Sequence, residues 1–170
     1  MIRVKITLSY DGTNYHGWQI QPNACTVQGE LQKALSQLFS TDITVFGCSR
    51  TDAGVHAKKF VCHTDLPRPF PLDKLPFAVN SHLPGDIAVK KAEEADPDFH
   101  ARFSCKGKTY SYRLYNARIR DPFEKHRAGF WPTELDAERM DRFAKELVGT
   151  HDFAAFMATG SVVEDTVRTV

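Results

Sequence analysis

Apolar side chains at Ile2, Val4, Ile6 and Leu8 alternate with Arg3, Lys5, Thr7 and Ser9. A half-buried strand satisfies that period of two and a helix cannot. Such a strand needs a partner layer for its apolar face. Thr26 can cap a helix whose apolar positions Val27, Leu31, Ala34, Leu35 and Leu38 keep a 3.6-residue period. Asp11-Gly12-Thr13-Asn14 reads as a turn, and Gly17 to Pro22 as a polar, aromatic loop. Ile43 to Phe46 and Phe60 to His63 read as a second and third strand. Pro71 and Pro76 limit the next stretch to a short helix closed by Leu83-Pro84-Gly85, and Ile87 to Ala92 is a fourth strand.

The order β-α-β-β-α-β predicts an α+β chain. Its first unit is expected to be ferredoxin-like, with a mainly antiparallel sheet and both helices on one face. A second, similar unit is expected to begin near residue 99. Thr109 to Leu114 is strand-like, Thr133 to Asp136 opens a helix carrying Met140, Phe143, Ala144 and Leu147 up to Gly149, and Glu164 to Val170 starts a further strand. The division expected is therefore 1–98, carrying the loop discussed next, and 99–170, the start of an incomplete second subdomain.

Composition excludes several classes. With 42% hydrophobic and 25% charged residues, the chain reads as an ordinary globular protein. No stretch approaches a membrane span of about 20 apolar residues and no signal-peptide pattern opens it, so a cytoplasmic protein is expected. The four cysteines, Cys25, Cys48, Cys62 and Cys105, form no CxxC pair, so reduced and mostly buried thiols are expected rather than a metal site. Net charge is only +1, but eight Lys/Arg fall between Arg102 and Arg127 against Asp121 and Glu124. A solvated charged face accounts for such a run. The interleaved Tyr110, Tyr112, Tyr115 and Phe123 make a nucleic-acid surface the competing reading, since phosphates need cations and unstacked bases need π-faces.

The chemistry gathers at Ser49-Arg50-Thr51-Asp52-Ala53-Gly54. Arg50 and Asp52, two apart in extended backbone, project to one side, and a guanidinium beside a carboxylate favours the ionised form. Gly54 permits close approach of a partner backbone, and His56 could donate to a phosphate. The same residues also fit a polar turn in which Asp52 bonds nearby amides and Arg50 is solvated.

The longer stretch Cys48 to Ala57 closely resembles the catalytic signature of the tRNA pseudouridine synthase A family. Tyr10 to Gln19 with Thr26 to Leu31 resembles that family's opening. Phe99 to Phe103 with Lys108 to Tyr112 resembles its second block, and Gly149 to Phe153 with Phe156 its third. Ser49 stands where glycine is common. The family continues for further strands and a helix with another motif lining the cleft, so the chain is expected to be truncated relative to it.

The resemblance implies conversion of uridine to pseudouridine in the anticodon stem-loop of tRNA, at tRNA positions 38, 39 and 40. Asp52 would be the catalytic carboxylate, with Arg50 holding it ionised. Tyr110 would lie against the target uracil, although a cross-strand packing aromatic is its other reading. Arg102, Lys108, Arg118 and Arg120 would contact the RNA. The isomerisation is redox-neutral, so no cofactor, nucleotide or metal is expected, and the family's homodimers imply a second copy as partner. Two alternatives stay open: a catalytically weak or silent RNA-binding fragment, and a hydrolase using Asp52 and His56. The hydrolase lacks a separate nucleophile and a second carboxylate.

Overall fold

The computed structural model describes residues 1–160 and 165–170. The chain is α+β and forms two compact units, Met1–Ser111 and Tyr112–Val170.

The first unit runs β1 (Ile2–Tyr10), α1 (Val27–Phe39), β2 (Phe46–Gly47), β3 (Ala57–Leu66), α2 (Leu75–Asn80) and β4 (Ile87–Glu94). Its sheet has the order β2-β3-β1-β4, and every neighbouring pair is antiparallel. The alternation along β1 does what its period demands, since Val4, Ile6 and Leu8 are fully buried. Thr26 caps α1 by accepting from the Gly29 amide, and Val27, Leu31, Ala34 and Leu35 pack into the same cluster as the β1 face. Leu75 and Val79 of α2 enter that cluster too, so both helices cover one core.

β2 is shorter than the expected Ile43–Phe46 strand, and the helix explains why. Gln28, Gln32 and Ser36 lie four residues apart along one face of α1. The Ile43 amide donates to Ser36 Oγ (3.0 Å), the Val45 amide donates to Gln32 Oε1 (2.9 Å), and Val45 O accepts from Gln28 Nε2 (2.8 Å). Helix side chains thus satisfy the backbone polar groups that a ladder would otherwise take. Ile43 and Val45 still bury their side chains.

On β3, His63 is 2% exposed, under Phe46, Phe99 and His100, and its Nδ1 accepts from the Ala101 amide at 3.1 Å. Residues 99–111, expected to open the second subdomain, fall within the first compact unit. Arg3, bidentate to Asp65 at 2.9 Å, also donates to the Phe99 carbonyl at 3.2 Å.

The second unit contains β5 (Leu114–Asn116), β6 (Gly129–Trp131), α3 (Ala137–Lys145), β7 (Thr150–Asp152) and β8 (Val167–Thr169). β5 pairs with β6 in parallel and β7 with β8 antiparallel. Three expectations need correction. Residues 105–113 carry no regular structure, and only Leu114 of the expected 109–114 strand is in one. Every residue from 106 to 114 is exposed, so alternation there has no core to select a strand face. Asp136, not Thr133, caps α3 by accepting from the Arg139 amide at 2.8 Å, and the helix stops before Leu147. The last strand is only Val167–Thr169, and Glu164 lies outside the described residues. Of the cysteines, all free, only Cys62 is buried; Cys48 and Cys105 are half-buried and Cys25 is exposed, so the expectation of mostly buried thiols does not hold.

Burial holds the His63 imidazole below its ordinary value, reinforced by His100 and Arg3. The unfolded chain therefore takes up this proton more readily than the folded one. The stability contribution is complete above about pH 6.5 and declines as pH falls through the folded value. Melting temperature should drop from about pH 7 to about pH 5, and less so in His63→Asn, which keeps an acceptor for the Ala101 amide but cannot titrate. Equal slopes in both proteins would remove His63 from the account.

Candidate active site

Tyr10 pairs with Ala57 in the β1–β3 ladder, so the end of β1 lies beside the start of β3. The segment leaving β1, residues 11–18, and the segment entering β3, residues 48–56, must therefore run next to each other. Five contacts link the 48–56 segment to Tyr10 and the residues after it, the last two being alternatives at one imidazole nitrogen. The Trp18 amide donates to Thr51 O (3.0 Å) and the Gly54 amide to Tyr15 O (3.2 Å). The Tyr10 hydroxyl meets Thr51 Oγ1 at 3.0 Å. His56 Nδ1 lies 2.9 Å from Asp11 Oδ1 and 3.1 Å from the Gly12 amide.

Two glycines allow this approach. A Cβ on Gly12 would sit 2.0 Å from Val55 O, and one on Gly17 would sit 2.3 Å from Thr51 O, at a φ of +82°. The turn Asp52–Val55 closes with the Val55 amide donating to Asp52 O at 3.2 Å and has Gly54 at a φ of +78°. That is the conformation a type II turn requires at its third position. A Cβ on Gly54 would meet nothing within 4 Å, so turn geometry, not the expected close approach, accounts for this residue.

Beneath the loop, Trp18 is 2% exposed and stacks on Phe60 with ring centroids 4.1 Å apart; Tyr10 leans on both. Burial pushes the Tyr10 phenol up to about 12, outweighing the bond to Thr51 that acts the other way. It stays a neutral hydrogen-bonding group. Tyr15 is raised as well, by burial first and then by its bond to Asp86, which anchors the 11–18 segment to the turn before β4.

Asp52 comes out of this scaffold exposed, and among the described residues its carboxylate accepts no hydrogen bond and joins no ion pair within 4.0 Å. Arg50 shares the loop and is exposed too, and no ion pair of that length joins it to Asp52. A rigid backbone carrying an unpartnered carboxylate can attack an electrophilic carbon or take a proton from a docked substrate. Arg102, Lys108 and Tyr110 belong to the same unit and are exposed; the Arg102 guanidinium lies 5.8 Å over the Phe103 ring. Tyr110, at 78% exposure, does not pack across a strand pair. Arg118 and Arg120 are exposed in the second unit, where Arg113 is tied to Glu124 at 2.8 Å.

Sequence reasoning missed the supporting role of residues 11–18. Gly12 and Gly17, either side of a polar segment, are its visible signal, but their partners lie some forty residues away.

A family model described as tRNA pseudouridine synthase matches residues 6–104. The tRNA pseudouridine synthase A of Ruminiclostridium cellulolyticum is 48% identical over 170 residues, which is 100% of this chain and 69% of that protein. The proteins of the same name from Lacticaseibacillus casei and Bacillus velezensis are 47% and 46% identical over 171 residues; they align with 100% and 99% of this chain and with 69% of their own length.

Gly17→Ala tests the strapping directly. A left-handed φ costs an alanine about 1–2 kcal/mol before the clash with Thr51 O is counted. The variant should melt lower and lose activity at least about tenfold through displacement of the loop. Unchanged melting and turnover would show that the two segments are not held by this contact.

Proposed function

The chain belongs to the tRNA pseudouridine synthase family, and we propose that Asp52 is the carboxylate that drives its isomerisation of uridine to pseudouridine, within the anticodon stem-loop at tRNA positions 38, 39 and 40. The observation that carries this reading is the Asp52 carboxylate itself, exposed and without a partner among the described residues, on a loop held at Thr51, Gly54 and His56.

In the reaction the N1–C1′ bond breaks, the uracil turns, and C5 bonds to C1′. The proton lost from C5 is balanced by one gained at N1, so no oxidant, reductant or co-reactant enters. Asp52 serves either as nucleophile at C1′ or as base toward the C2′ proton. Arg50, which forms no ion pair among the described residues, approaches Asp52 when the substrate is bound and occupies space left by the extruded base. Extrusion of a stacked uridine costs a few kcal/mol, which phosphate contacts from Arg102, Lys108, Arg118 and Arg120 offset. Tyr110, already exposed, stacks against the turned uracil and relays the C5 proton.

On this reading residues 1–98 carry the Asp52 loop and 99–170 carry the basic residues that meet the RNA, although the compact units divide later, after Ser111. The protein acts as a homodimer, and its tRNA substrate places it in the cytoplasm. Among the described residues no helix is long and apolar enough to cross a membrane.

Asp52→Asn should lower release of a C5 tritium label from tRNA uridine by at least about a thousandfold. Affinity for tRNA should stay within about threefold, because the amide keeps the shape and loses the chemistry. A variant retaining more than about a tenth of the activity would take Asp52 out of its role. Neutralising Arg118 and Arg120 together should weaken tRNA binding. The log–log salt slope should fall by about 0.7–0.9 for each phosphate that is no longer neutralised. An unchanged slope would show that both side chains are merely solvated.

A further inference from the structure

Most ties between residues 11–18 and 48–56 run through backbone atoms, but one joins two ionisable side chains. His56 Nδ1 stands 2.9 Å from Asp11 Oδ1 and 3.1 Å from the Gly12 amide nitrogen. An imidazole nitrogen carries at most one proton. With it, Nδ1 donates to Asp11; without it, Nδ1 accepts from the Gly12 N–H. The position therefore has a partner in either protonation state, which a lysine or a carboxylate could not offer.

Asp11 is itself held in place. Its Oδ1 accepts from the Thr13 amide (3.1 Å) and from Thr13 Oγ1 (2.5 Å), and its own amide donates to Asp86 O at 2.8 Å. His56 stands one residue beyond the turn Asp52–Val55 and one before β3, so it controls where that turn is anchored on its C-terminal side. Thr51 is fixed on the other side by Tyr10 and Trp18. His56 Nδ1 faces the scaffold, so it is not the atom that could donate to a phosphate.

We propose that Asp11 and His56 form a positioning pair that sets the direction of the Asp52 carboxylate for the isomerisation without touching the uridine. This rests on the reading of Asp52 as the reacting carboxylate. A displacement of about 1 Å at a reacting group can cost about a hundredfold in rate. The pair's loss should therefore appear in kcat, not in tRNA affinity.

The test uses the full chain, C5-tritium release from tRNA, and thermal melting alongside. His56→Ala should lower kcat about 30- to 100-fold with KM within about threefold. His56→Asn places an atom that can donate or accept near the Nδ1 position and should recover to within about fivefold of the parent. His56→Gln places its amide nearer Nε2 and should not recover. If His56→Ala melts below the assay temperature, the asparagine–glutamine comparison carries the same decision. Equal impairment of those two variants, or a raised KM with kcat kept, would overturn the positioning role; the raised KM would mark a direct RNA contact instead. Asp52→Asn, run in parallel, separates the failures. An active Asp52→Asn sinks the underlying reading, whereas an inactive one beside a fully active His56→Ala sinks the pair alone.

Discussion

The antiparallel register of β1 and β3 is the constraint from which the site follows. Pairing Ile2 with Leu66 at one end, with a register shift between Leu8 and Tyr10, leaves Tyr10 opposite Ala57 at the other, and the two chain segments beyond that point run side by side. Apart from a 3-10 turn at Gly12–Asn14 neither segment is regular, and a loop cannot satisfy all its backbone groups as a helix does. They satisfy each other instead, through Trp18 to Thr51 and Gly54 to Tyr15, with glycine at positions 12 and 17 because any side chain there would strike a carbonyl oxygen. The sheet thus positions the turn at Asp52 although Asp52 is not in the sheet.

What lies below the turn complements what lies on it. Tyr10, Trp18 and Phe60 make an aromatic bed in which the Tyr10 hydroxyl is kept neutral by burial. Above it the Asp52 carboxylate is exposed and, among the described residues, accepts no hydrogen bond. A buried charge beneath the loop would interact with the carboxylate in a low-dielectric setting, whereas a neutral hydroxyl bonded to Thr51 holds geometry without adding field. The bed fixes the loop and exposure leaves the carboxylate open, and the two are supplied by different residues.

Much of this is legible in the sequence, for reasons that differ by element. The alternation of β1, the Thr26 cap and the spacing Val27-Leu31-Leu35 are local signals read by local physics, and the structure bears them out. The loop around Asp52 is legible as a motif, because its residue order is distinctive over ten positions. Its partner segment is not, because contact between residue 17 and residue 51 leaves no mark on either stretch alone. β2 is over-extended in the sequence reading for a related reason, as Ile43 and Val45 are apolar and buried like strand residues while their backbone bonds go to Gln32, Gln28 and Ser36. Residues 109–113 show the converse. Their aromatic alternation looks like a strand, but with every side chain exposed nothing selects one.

The straps at Thr51 O, Gly54 N and Tyr15 O are made by main-chain atoms, which every amino acid but proline provides in full. Ala53, between those on the Asp52 loop, and Val55, just beyond, are exposed. Variation at those two positions can therefore reshape what surrounds the carboxylate while leaving its mount in place, so the mount and the surface around it are free to drift separately. Positions 12 and 17 have no such latitude: a change at either must be answered by a change of path some forty residues away, and a lineage could cross that gap only by moving both segments together.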